Sequence, residues 1–159
     1  MLQEALAAHS GLEPCAVEIK RPGPSWTIDT LAELQGTQPG AFFYFLTGSE
    51  GFLTIPTWKD YRIILRKVLF IILLREPGHR RPVLELMAAE QVPLLMKTKG
   101  AFSPPGAYLV SYDSPLLDLS ASMVREKRGR GEKVDQWLAP EVKAILEEER
   151  LYEKHSDGD

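Results

Sequence analysis

Four short segments bring together residue types that bind or position small anionic and aromatic molecules. Ser120-Ala121-Ser122-Met123-Val124-Arg125 opens a helix with small hydroxyl residues. The free backbone N–H groups of a helix start can face an anion, and Arg125 adds a fixed charge. That is the chemistry of a phosphate cradle, set against the plainer reading of a serine N-cap followed by a solvated arginine. Ser25-Trp26-Thr27 places an aromatic face beside a hydroxyl at a second helix start. Such a group suits a planar ring bearing a carboxylate, or simply anchors the helix to a sheet. Trp58, in Pro56-Thr57-Trp58-Lys59, supplies another ring to stack or to pack, and Gly48-Ser49-Glu50-Gly51 supplies a carboxylate in a turn. Arg75 follows an apolar run, where a guanidinium either clamps a phosphate bidentately or pairs with an acid such as Glu76.

Each of these segments must be held by the elements that flank it. Proline and glycine punctuate the chain at regular intervals, with no internal repeat, low-complexity tract or long linker. Residues 15–19 read as a short strand stopped by Arg21-Pro22-Gly23-Pro24, after which Ile28, Leu31, Ala32 and Leu34 recur at helical spacing. Ser25 or Thr27 is the N-cap candidate of that helix, with Asp29 in its first turn. The unit repeats: an aromatic strand over residues 42–47 that reads as buried on both faces, a turn, and a helix within 58–67. A continuous apolar strand over 68–74 precedes a helix over 82–91, and a further strand spans 107–112. Helices over about 122–128 and 140–150 close the pattern. Alternating helices and continuous apolar strands predict a parallel α/β sheet, whose ligands sit at the carboxyl ends of the strands.

Composition narrows the functions open to such a fold. The chain has 159 residues, 44% hydrophobic and 26% charged, which excludes disorder and collagen-like repetition. Nineteen Lys and Arg against 22 Asp and Glu leave a net charge of −3, so no global positive field recruits nucleic acid. Arg125, Lys127, Arg128, Arg130 and Lys133 cluster without interleaved aromatic residues and read as a solvated helix face. The seven apolar residues 68–74 fall far short of the ~20 that span a membrane. No secretory signal pattern stands at residues 1–10, and the lone Cys15 forms no intrachain disulfide, so a reducing cytoplasm is expected. His9, His79 and His155 lack metal-ligand spacing, so no metal site is expected.

Taken in order, the four segments resemble the bacterial nicotinate-nucleotide adenylyltransferase family. Its members carry K-R-P-G-P-S-[YW]-T-x-D-T-L, a G-A-D turn, P-x-W-K and an I-S-S-T-x-I-R helix start. The resemblance covers roughly residues 13 to 152, with Leu138-Ala139-Pro140 where the family has L-V-P. It implies a Rossmann-like nucleotidyltransferase fold, a parallel sheet flanked by helices. It further implies transfer of AMP from ATP to nicotinate mononucleotide, giving deamido-NAD and pyrophosphate, with Mg²⁺ accompanying ATP. By the same resemblance Ser25, Trp26, Thr27 and Trp58 line the nicotinate pocket, and Gly48 and Glu50 lie at a ribose. Ser120, Ser122 and Arg125 would hold ATP phosphates, and Arg75, from its place after strand 68–74 rather than from the resemblance, is a further ATP-phosphate candidate. Two departures stand out: Glu50 replaces the family aspartate, and Ala121-Ser122 replaces Ser-Thr.

The family also carries G-G-[ST]-F-D-P-x-H-x-G-H after its first strand, with two catalytic histidines, and nothing in residues 1–159 matches it. The expectation is therefore the C-terminal part of such a domain, residues 1–152 with an acidic tail over 153–159. It would lack the first strands, show no catalytic residue of its own and no turnover alone, and leave strand 42–47 with a bare edge. A homo-oligomer or a complementing chain would cover that edge. Two other readings remain: a non-catalytic nucleotide-binding or interaction remnant needing a partner chain, and a related nucleotidyltransferase with another acceptor.

Overall fold

The computed structural model describes residues 1–7, 9–74, 76–95, 104–111 and 119–153. They fall into two compact units, Val17–Leu116 and a unit formed by Met1–Ala16 with Leu117–Asp159.

The first-named unit is built on a three-stranded parallel sheet. Its strands are β1 (Tyr44–Gly48), β2 (Leu69–Leu74) and β3 (Gly106–Ser111), in the order β1-β2-β3. Tyr44 pairs with Leu69 and Leu69 with Gly106, so the carboxyl ends Gly48, Leu74 and Ser111 lie along one rim. β2 is central and continuously apolar: Leu69, Phe70, Ile72 and Leu74 are buried, as expected of a strand covered on both faces. β1 differs from expectation. Phe42, Tyr44 and Leu46, alternate residues of one face, are exposed while Phe43 and Phe45 pack on the core, so β1 is covered on one face only. Among the described residues no strand lies on the far side of β1, and the lack of such a neighbour overturns the expected strand at residues 15–19. A parallel strand exists only as a rung of a ladder. With no neighbour to bond, Val17–Lys20 closes its hydrogen bonds locally as a one-turn helix, leaving Ile19 86% exposed.

Helices supply the crossovers. Numbering all helices in chain order, with α1 (Leu2–Leu6) in the other unit, Val17–Lys20 is α2 and Thr27–Thr37 is α3. Gly23, at φ +82°, makes the reversal before α3 that a Cβ would strain. Leu31 on α3 and Ile28 beside it face the core. Ser49–Leu53 forms α4 directly at the end of β1, so the expected 48–51 turn is the first turn of a helix. Tyr61–Lys67 (α5) and Arg80–Ala89 (α6) follow, and Val83 and Met87, one helical turn apart, bury α6 against the sheet. An aromatic chain runs through this core, Phe52 to Phe70 at 5.3 Å, Phe70 to Phe45 at 5.5 Å and Phe45 to Trp58 at 5.6 Å between centroids.

The second unit holds α1, α7 (Ala121–Gly129) and α8 (Pro140–Glu148), with Val134 and Leu146 buried. Pro140 stands in the first turn of α8, where its missing N–H costs nothing. The basic run on α7 is not simply solvated. Arg128 is nearly buried and donates to the carbonyls of Leu146 and Leu151, at 2.6 and 2.8 Å, and to Glu153. It thereby adds a second donor to the Leu146 carbonyl, which also accepts from the Leu151 N–H at 3.1 Å, and holds the Leu151 carbonyl beyond the end of α8. Lys127 pairs with Glu132 and Arg130 with Glu126.

Candidate active site

Within the unit Val17–Leu116 two clusters gather the expected residues. The first is centred on the start of α3. Arg21 donates to Thr30 Oγ1 (3.1 Å) and Glu33 (2.8 Å), Thr30 donates to Glu18 (2.7 Å), and Ser25 Oγ donates to the Glu18 carbonyl (3.3 Å). These bonds pin the Pro-Gly-Pro loop and present Trp26 at the N-cap position, half of its surface exposed, with Thr27 as the first helical residue. Trp58 sits on the loop after α4. Its ring meets Phe45 edge-on, and its indole N–H donates to Thr54 Oγ1 at 3.4 Å. The loops of Trp26 and Trp58 are tied by Lys59, whose Nζ lies 3.2 and 3.1 Å from the two carboxylate oxygens of Asp29. Both partners belong to the quoted motifs, and their pairing across 30 residues was invisible to local pattern reading.

The second cluster stands at the carboxyl ends of β1 and β2. Gly48 ends β1, Ser49 is fully buried, and the exposed Glu50 carboxylate folds back over Gly48. A Cβ built at residue 48 would lie 3.1 Å from Glu50 Oε2, so glycine leaves the room that this longer acid occupies. His79, beyond β2, places Nδ1 3.1 Å from Ser49 Oγ and 4.0 Å from Glu50 Oε1. Sequence reading quoted Ser49 only as part of its turn and weighed His79 only as a metal ligand, so neither was given a role. Arg75 lies outside the described residues.

In the other unit Ser120 caps α7, its Oγ accepting from the Met123 N–H at 3.1 Å. Arg125 turns back to donate to Ser122 Oγ at 3.2 Å, and its guanidinium lies 5.9 Å over the Tyr152 ring. Ser120 and Arg125 border an apolar cavity of about 390 Å³ lined by Val124, Trp137, Leu138 and Val142. Among the described residues no group of three His, Cys, Asp or Glu side chains could hold a metal ion, and no helix is long and apolar enough to cross a membrane.

No protein-family model matches the chain. Two solved structures of Plasmodium falciparum nicotinic acid mononucleotide adenylyltransferase, one complexed with APC and one with NaAD, share its fold. Their TM-scores are 0.55 and 0.54 at 17% and 18% identity; the matches cover 82% and 81% of this chain and 60% and 58% of theirs. The parallel sheet with flanking helices is thus that of the α/β nucleotidyltransferases. Among curated relatives, proteins of Pelobacter propionicus and Trichlorobacter lovleyi are 30% and 29% identical over 160 and 163 residues. Those matches cover 96% of this chain and 72% and 73% of the relatives. A Klebsiella pneumoniae relative is 31% identical over 140 residues, 85% of this chain and 63% of its own. All three are named probable nicotinate-nucleotide adenylyltransferase. The chain belongs to the nicotinate-nucleotide adenylyltransferase family, nucleotidyltransferases of NAD biosynthesis.

Proposed function

We propose that this chain binds nicotinate mononucleotide and ATP for adenylyl transfer between them. The mononucleotide phosphate oxygen attacks the α-phosphorus of ATP, the bond from that phosphorus to the bridging oxygen breaks, and deamido-NAD and pyrophosphate form. Such a reaction needs positioning and charge neutralisation more than covalent chemistry from the protein. The observation that carries the reading is the Lys59–Asp29 pair, which links the Ser25-Trp26-Thr27 helix start to the Trp58 loop. Trp26 and Trp58 would flank the pyridine ring, while Thr27 and the N–H groups opening α3 would take its carboxylate. Gly48 and Glu50 would accept a ribose, Glu50 through its exposed carboxylate. Ser120, Ser122 and Arg125 would meet ATP phosphates, with the adjoining apolar cavity suited to a planar base. Arg75 is proposed as a phosphate contact from its place in the sequence after residues 68–74. Mg²⁺ would enter with ATP as the counter-ion of the triphosphate, since no acidic cluster among the described residues forms a resident site.

Calorimetric titration of the full chain tests this. Nicotinate mononucleotide should bind at least about tenfold more tightly than nicotinamide mononucleotide, because a carboxamide gives up the charge that the α3 start favours. W58A should abolish most of that affinity. Equal affinity for the two mononucleotides would refute the assignment of the nicotinate pocket.

A further inference from the structure

The carboxyl ends of β1 and β2 are joined by a contact that none of the quoted motifs contains. Ser49 is the one buried polar side chain among the described residues, and the partner of its hydroxyl is Nδ1 of His79, 3.1 Å away. Glu50 Oε1 lies 4.0 Å from the same nitrogen, while Oε2 rests against Gly48. A hydrolytic relay is excluded by this geometry. It needs the acid on one ring nitrogen and an accessible hydroxyl on the other, whereas both oxygens here converge on Nδ1 and Ser49 is sealed from solvent. With its proton on Nδ1, beside the carboxylate, the ring donates to Ser49 Oγ and faces Glu50. Ser49 thus holds the ring with Nδ1 4.0 Å from the carboxylate.

Resting on the reading that Glu50 takes a nucleotide ribose, we infer that His79 is the positioning residue for that contact. The glutamate is one methylene longer than the aspartate of the G-A-D turn and has one more torsion to restrain. Gly48 gives its carboxylate room to fold back, and His79 holds it there. The ribose hydroxyls then meet an acceptor already in place rather than one that must be ordered on binding.

Calorimetric titration of the full chain with deamido-NAD provides the test. E50A should weaken binding by about tenfold and H79A by about three- to tenfold, and the double variant should bind no worse than E50A. H79N keeps a donor at the place of Nδ1 and should recover most of the loss; H79Q keeps one only at the place of Nε2 and should not. Ring ¹⁵N shifts of the ligand-free protein should show His79 protonated at Nδ1, with E50Q moving the proton toward Nε2. H79A binding as tightly as the parent, multiplying losses in the double variant, rescue by H79Q alone, or a bare Nδ1 in the free protein would each overturn this inference alone. E50A binding as tightly as the parent would instead overturn the ribose assignment, and this inference with it.

Discussion

Trimming Phe45 to leucine should separate the stability of the core from the readiness of the site. Phe45 is half-buried and touches two rings, Trp58 at 5.6 Å and Phe70 at 5.5 Å. Aromatic pairs contribute ~0.5–1.5 kcal/mol each beyond area burial, so losing both costs about 1–3 kcal/mol, toward the low end because solvent fills part of the space. Trp58 then loses the edge contact that orients it, and a loss of about 1 kcal/mol in preorganisation weakens nicotinate mononucleotide about fivefold. Phe52 supplies the contrast. It is 1% exposed and meets Phe70 at 5.3 Å, but it makes no ring contact with Trp58. F52L should destabilise by about 2 kcal/mol through the cavity it leaves, without moving the ligand wall. Urea denaturation gives the first quantity and calorimetry at a temperature where both variants are folded gives the second. If F52L weakened the mononucleotide as much as F45L, or F45L changed neither quantity, the aromatic chain would not be what holds Trp58.

D29N and K59M should each change stability by less than about 1 kcal/mol, as solvent-screened pairs do, yet weaken nicotinate mononucleotide several-fold; the double variant should be no weaker than either, measured by calorimetric titration. S120D separates capping from phosphate binding at α7: aspartate caps as well as serine, so thermal stability should hold while ATP affinity falls about tenfold or more, and unchanged affinity would leave Ser120 as a cap alone. At the start of α5, hydrogen bonds from the Arg62 guanidinium and then the Tyr61 hydroxyl hold the Glu90 carboxyl below its ordinary value. The stability this adds is fully present above the unfolded pKa of about 4.3 and is lost as pH falls through the lowered folded value. The urea midpoint of E90Q should therefore fall less than that of the parent between about pH 5 and pH 2.5, and parallel curves would refute the linkage.

How much of this was legible in the residues follows from the range of the interactions involved. Residues 68–74 could be read as a buried strand because seven consecutive apolar side chains suit only an element covered on both faces. The spacing of Ile28, Leu31 and Leu34 and the proline of α8 were equally local signals. Residues 15–19 carried strand-like residues but no information about a neighbour, and without a ladder the backbone chose a helical turn. Residues 48–51 look like a turn because glycine brackets a serine and a glutamate. Only the packing of Phe52 behind them, 1% exposed, shows that the chain has already entered a helix. The motif residues of the site were readable singly, whereas Lys59 with Asp29 and His79 with Ser49 are each separated by 30 residues.

Those two long-range pairs have a common logic. Each joins segments that follow different elements, Lys59 bridging to the start of α3 and His79 joining the rim beyond β2 to that beyond β1. Connecting segments hold position only if tied to one another, as these are. The exposed ion pair adds little to global stability, whereas the hydroxyl–imidazole bond holds a fully buried Ser49, and removing one partner costs about 1–3 kcal/mol. On the proposed assignment both pairs also narrow the positions open to Trp58 and Glu50, which binding must otherwise do at its own cost. Substitutions at the exposed Asp29 and Lys59 are therefore expected to separate affinity from stability, those at the buried Ser49–His79 bond to lower both, and those at Phe52, Phe70 or Val83 to lower stability first.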